Sequence, residues 1–193
     1  MSHDDFAFEP VRGLPAALPA GERLLWQGQP DWRRLAIDAY HVRAVAGYFL
    51  LIAGWHLAGQ LQADSSWFEG LRSLAPTFLI GAIACAILTT LAVLSARSTV
   101  FSITSGRIVL RQGIALPITM NVPFELIDAA SVKRRKNGSG DLALRLRRDQ
   151  RIGYLVNWPY VRPGHFNRPQ ACFRSLASVD APATVLGDAV VRR

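Results

Sequence analysis

From Leu74 to Ala96 the chain runs twenty-three residues without a charged side chain, then meets Arg97. At about 1.5 Å per helical residue such a run is long enough to cross the roughly 30 Å hydrocarbon core of a bilayer. A spanning helix over 74–96 is the expectation. A second apolar stretch, Val42 to Leu61, contains Arg43 at its start, His56 and Gln60 within it, and glycines at 47, 54 and 59. Arg43 can extend to the interface, which leaves His56 as the one ionisable group inside the span, so a second crossing is affordable. The alternative is a buried helix of a soluble core. With both spans the chain is a helical hairpin joined by residues 62–73.

Orientation follows from the short flanks. The connecting loop has Asp64, Glu69 and Arg72, whereas Arg33, Arg34 and Arg43 precede the first span and Arg97, Arg107 and Arg111 follow the second. The positive-inside rule therefore places both termini in the cytoplasm. Met1 to Ala20 opens with His3, Asp4 and Asp5 and has no continuous apolar core, so no signal peptide is expected.

The formal net charge of +8 is unevenly spread, with 16 Lys+Arg against 6 Asp+Glu in residues 97–193 and 4 against 6 in residues 1–42. A basic domain at the cytoplasmic face attracts anionic lipid, at about 1 kcal/mol per well-placed Lys or Arg. Nucleic acid is not expected as a partner, because no helix-turn-helix, zinc-finger or RNA-binding signature accompanies the charge. Cys85 and Cys172 lie far apart in sequence, and His3, His41, His56 and His165 lack zinc-site spacing, so neither a disulfide framework nor a metal site is expected. There is also no nucleophile elbow or phosphate-binding glycine loop, so the chain reads as a non-enzyme.

After Arg97 the sequence period shortens to two. Strands are expected at Thr99–Ile103, Arg107–Gln112, Leu116–Val122, Ala129–Arg135, Asp141–Arg147 and Arg151–Val156, with turns at Thr104-Ser105-Gly106 and Asn137-Gly138-Ser139-Gly140. Asn157 to Pro169, with three prolines, reads as an ordered irregular segment that wraps onto something. Pro169–Ser178 and Asp180–Val190 read as short helices, the second capped by Asp180. Leu24–Trp26 either precedes an interfacial helix over Trp32–Tyr40 or adds a strand to the distal domain. The expected fold class is a membrane α-helical hairpin plus an α+β, mainly-β cytoplasmic domain: a PH-like small antiparallel barrel with a C-terminal helix. Its divisions are a segment 1–41, spans 42–61 and 74–96 around a periplasmic loop 62–73, and a domain 97–193.

Thr99-Val-Phe-Ser-Ile-Thr-Ser-Gly-Arg-Ile-Val-Leu-Arg-Gln-Gly113, with Pro123-Phe-Glu-Leu-Ile127 and Gly138-Ser-Gly-Asp-Leu142, resembles the bacterial PH-like domain that follows transmembrane hairpins. Several upstream stretches resemble the PuhB family of photosynthetic complex assembly proteins. They are Glu9-Pro-Val-Arg-Gly-Leu-Pro15, Leu18-Pro-Ala-Gly-Glu22, Leu25-Trp-Gln-Gly-Gln-Pro-Asp-Trp-Arg-Arg-Leu35 and His41-Val-Arg43. Tyr154-Leu-Val-Asn-Trp-Pro-Tyr-Val-Arg-Pro163 and Arg168-Pro-Gln170 are similar to the same family. The resemblance implies a non-enzymatic factor that assists assembly of the reaction centre with its core light-harvesting antenna. The implied partners are reaction-centre subunits, core antenna polypeptides or other assembly factors.

Four features carry site readings. His56, flanked by small residues, has the chemistry to ligate the magnesium of a bacteriochlorophyll; a helix-packing or interfacial histidine is the favoured alternative. Gly54 and Ala58 on one span, and Gly81 and Cys85 on the other, have the spacing of close helix packing, within the hairpin, onto a reaction-centre subunit or in a homo-oligomer. Lys133, Arg134, Arg135 and Lys136 cluster before a turn, as a solvated hairpin end, a lipid contact or a site for an acidic partner. Trp158, Tyr160 and His165 either form a recognition surface or cover an open barrel edge.

Overall fold

The computed structural model describes residues 11–62, 67–150 and 152–191. Residues 1–10, Asp64 in the connecting loop and Arg151 at the start of one expected strand lie outside them. The chain divides into two compact units: one takes the chain up to Leu35 and from Leu94 onward, the other is Ala36–Val93.

The second unit is the helical one. After α1 (Trp32–Asp38), α2 runs Val42–Gln62 and α3 runs Trp67–Arg97, so the second helix begins well before the charge-free run. Hydropathy marks where a helix can lose its water, whereas the backbone also accepts Phe68, Leu71 and Leu74 in helical period, and Glu69 favours the first turn. Both helices are long and apolar enough to cross a membrane, with mean hydropathy 1.3 over Val42–Gln60 and 2.4 over Phe68–Arg97. Only 6% of the α2 window is buried, and Leu51 and Trp55 are 71% and 80% exposed, which removes the soluble-core alternative for this helix.

Among the described residues, the first unit holds seven strands and a C-terminal helix. β1 (Leu24–Gly28), β2 (Val100–Thr104), β3 (Arg107–Gln112) and β4 (Ile118–Pro123) form one antiparallel sheet in that order. β5 (Ile127–Arg134), β6 (Gly140–Leu146) and β7 (Ala171–Leu176) form the other, and α4 (Asp180–Val191) closes the chain. The seven strands and terminal helix make a PH-like barrel. Its first strand precedes the hairpin: Gly28 pairs with Phe101 and Trp26 with Ile103, so a domain starting at residue 97 lacks an edge that β1 supplies. Pro30 then bridges Leu176, and the Asp31 N–H donates to Ser175 O at 2.8 Å, so the same segment ties the two sheets together.

One aromatic cluster explains why these strands converge. Phe101 stacks on Phe173 with ring centroids 4.4 Å apart, Trp26 stacks on Phe173 at 6.1 Å, and Tyr160 meets Phe101 edge-on at 5.4 Å. Around it Ile103, Ile108, Leu110, Leu142, Leu144 and Leu176 are almost wholly buried. Gly28 makes room for this cluster, since a Cβ there would stand 2.5 Å from the Trp26 indole.

Four expectations are corrected. Ala171–Leu176 is a strand rather than part of a helix; all six residues are buried, and Ala171, Cys172 and Phe173 run together before Arg174 and Ser175, so no alternation announces it. The segment expected as a strand up to Val156 forms none over its described residues, and the place beside β7 is taken by Val161, which bridges Ala171, with the Cys172 N–H donating to Tyr160 O and the Arg162 N–H to Gln170 O. The proline-rich segment thereby covers the free edge of β7. Asp180 is the first residue inside α4 rather than its cap: the first helical bond, from the Ala183 N–H, is accepted by Val179 O. In α1, Asp31 is the cap, its Oδ1 accepting from the Arg33 N–H at 2.9 Å. Of the Trp32, Leu35, Ala36, Ala39 and Tyr40 face expected along the membrane interface, Trp32 is exposed and the other four are buried.

Candidate functional site

Among the described residues no group of three or more His, Cys, Asp or Glu is placed to hold a metal ion, and Cys85 and Cys172 are free thiols. Burial first, then the Asp141 carboxylate, pushes the Cys172 thiol from an ordinary value of 9.0 up to about 12. It stays protonated and unreactive at neutral pH. What remains to act is surface.

The basic run lies where β5 enters its hairpin. The Arg135 N–H donates to Ser139 O at 2.8 Å and Gly138 N–H to Arg135 O at 3.0 Å, which fixes the turn. Arg135 pairs with Asp141, Nη2 to Oδ2 at 3.1 Å, and Arg134 pairs with Asp180 at the start of α4. Two of the four cations thus serve the fold. Lys133 and Lys136 are exposed and form no ion pair among the described residues. They are the part of the run open to an external anion.

A second basic surface is absent from the sequence reading. The end of β6 and the proline-rich segment enclose a cleft of about 490 Å³ in which Arg145, Arg147, Arg148 and Arg168 meet Tyr154 and Phe166. Arg145 is held by Asp128 at 2.8 Å, and the two rings lie 4.7 Å apart. Arg147, Arg148 and Arg168 are exposed and form no ion pair among the described residues. The Arg147-Arg148 pair stands at the end of the strand expected over Asp141–Arg147. Its convergence with Arg168 depends on the path of the intervening prolines.

On the helices, a Cβ at Gly81 would stand 2.9 Å from Phe49 Cγ, and Cys85 Sγ approaches Val42 O at 4.0 Å, so these two positions face α2. A Cβ at Gly54 would meet nothing within 4 Å, and Ala58 and His56 are exposed on the outer surface of α2. Of the aromatic trio, Tyr160 is buried with its hydroxyl 3.1 Å from Ser95 O, His165 Nδ1 lies 3.1 Å from Pro163 O, and Trp158 is half-exposed.

The fold is that of a PH-like protein in which two helices long and apolar enough to cross a membrane lie between the first and second strands. The chain belongs to the bacterial PH domain family, whose model matches residues 45–171. It is also 41% identical over 196 residues to a protein of Rhodobacter capsulatus described as an uncharacterized 23.7 kDa protein in the puhA 5′ region; the match covers 98% of this chain and 89% of that relative. No solved structure matches the chain.

Proposed function

We propose that this protein is a PuhB-type, membrane-anchored and non-catalytic assembly factor for the reaction centre and core light-harvesting complex of a purple bacterium. The observation that carries the reading is the Rhodobacter capsulatus relative, similar along nearly the whole chain and named for the puhA region. The motifs at Leu25–Leu35 and Tyr154–Pro163, which resemble the PuhB family, support it. In this reading α2 and α3 cross the inner membrane, both termini are cytoplasmic, and the barrel presents its basic surfaces to anionic lipid and to nascent subunits. His56 and the open face around Gly54 and Ala58 are available to an integral-membrane partner.

The test is deletion of the gene, with reaction-centre and core-antenna levels measured separately from their transcripts. Assembly function predicts reduced or delayed complexes at unchanged transcript. Normal accumulation kinetics of both complexes overturn it, and leave a membrane-anchored PH-like module with a role outside photosynthesis.

A further inference from the structure

Tyr160 reaches the point where α3 leaves its apolar run: its hydroxyl donates to Ser95 O at 3.1 Å and lies 3.1 Å from Ser95 Oγ, one residue before the run ends at Ala96. The turn leading into Tyr160 is therefore held beside that exit. It carries Leu155, Val156 and Trp158, which are 86%, 61% and 41% exposed. A second loop is tied to it. Gln112 Nε2 donates to Asn157 Oδ1 at 3.2 Å and to Val156 O at 3.4 Å, which locks the end of β3 alongside, and the β3–β4 turn that follows exposes Ile114 and Leu116. On the same turn Tyr154 forms one wall of the arginine cleft.

Single exposed apolar residues need no explanation, but two hydrogen-bonded loops that both end in large apolar side chains form a patch. Three observations point to lipid as the occupant. Its turn is hydrogen-bonded through Tyr160 to Ser95, at the end of the apolar run; its Leu, Val and Trp composition is that of an interfacial contact; and Tyr154 on the same turn lines the cleft of arginines that form no ion pair among the described residues. We propose that the 153–158 turn and the β3–β4 turn dip into the interface of the membrane the hairpin crosses, with Arg147, Arg148 and Arg168 receiving anionic headgroups. This deepens the proposed function and rests on its reading that α3 spans a bilayer.

The test uses the full chain in nanodiscs, with the fluorophore NBD on single cysteines replacing Leu155, Leu116 or Ile83 in a Cys85→Ala background; Cys172 is buried and does not label. Nanodiscs of phosphatidylcholine, with and without phosphatidylglycerol, carry lipid with a doxyl quencher near the headgroup or deep in the chain. The expected result is that the Leu155 and Leu116 positions lose most of their emission to the shallow quencher and the Ile83 position to the deep one. Phosphatidylglycerol is expected to increase shallow quenching, and an Arg147→Gln, Arg148→Gln, Arg168→Gln variant to lose that increase. If Ile83 is quenched while Leu155 and Leu116 stay bright, the hairpin is embedded and the interfacial contact is wrong. Shielding of the loops from water without lipid quenching, as by a second copy or another protein, overturns it equally. An unquenched Ile83 removes the spanning reading itself, and this contact with it. Equal quenching in both lipid mixtures removes the arginines from the contact.

Discussion

Cys172 couples the barrel to pH through burial. Its thiol is pushed up to about 12 in the folded protein against an ordinary 9.0, so the native state holds this proton more tightly than the unfolded chain does. The stabilisation is complete below pH about 9 and is lost as pH rises from there towards about 12. Between about pH 8 and about pH 10.5 the wild type is expected to lose about 2 kcal/mol more than a Cys172→Ala variant, because other groups titrate equally in both. Denaturant unfolding of the two proteins at both pH values, followed by near-UV circular dichroism, measures the difference; parallel losses would show the thiol to be inert. On the helices the contrast lies between two glycines. Gly81→Leu drives a side chain into Phe49 and is expected to cost about 1–3 kcal/mol by overpacking, with relief in a Phe49→Ala background. Gly54→Leu enters open space and is expected to change stability by less than about 0.5 kcal/mol. Thermal unfolding in detergent micelles ranks the two, and the opposite order would place the hairpin contact on the wrong faces.

Within the β5–β6 hairpin, charge and fold are divided between neighbouring residues. Asp141 accepts the Ser175 N–H at 2.8 Å through Oδ1 and pairs with Arg135 through Oδ2, so it links β6 to β7 and to the hairpin turn. Arg135→Glu sets two partly buried carboxylates against each other and is expected to destabilise the barrel by about 1–3 kcal/mol. Reversal of Lys133 and Lys136 together is expected to leave the melting temperature unchanged and to weaken association with anionic membranes. Melting curves and vesicle co-sedimentation separate these effects; equal destabilisation by both variants would mean that the lysines also serve the fold. The sequence showed the four charges as one cluster, because carboxylate partners at 141 and 180 come from other elements. Strands β2 to β6 were legible in alternation and turn residues. β7 was not, since its three apolar residues Ala171, Cys172 and Phe173 run together before the adjacent polar pair Arg174 and Ser175, and the segment before Asn157 alternates without acquiring a strand partner. The arginine cleft was hidden for the same reason as the charge pairs: its residues meet only through the fold.

At the scale of the molecule, α2 and α3, long and apolar enough to cross a membrane, are an insertion between the first two strands of a barrel. Hydropathy located the helices from composition alone, whereas nothing local in Leu24–Gly28 says that its partner lies beyond the hairpin. Strand pairing is non-local, so a five-residue run reads equally well as a lead-in to a helix. The consequence is testable by dissection. Residues 97–193 alone lack Trp26 from the aromatic cluster and leave the β2 edge, with fully buried Phe101 and Ile103, open to other chains. That fragment is expected to aggregate. Residues 11–35 joined through a flexible Gly/Ser linker to residues 94–191 restore β1, the Pro30–Leu176 bridge and the Asp31–Ser175 bond. The joined domain is expected to be folded and cooperative in thermal unfolding, since a longer flexible loop adds only slowly to the closure entropy. A Trp26→Ala change within it is expected to cost about 1–3 kcal/mol by removing a half-buried aromatic from the edge of the cluster. If the 97–193 fragment instead unfolds at the same temperature as the joined domain, β1 is an accessory strand, and the barrel is complete without the chain that precedes the membrane helices.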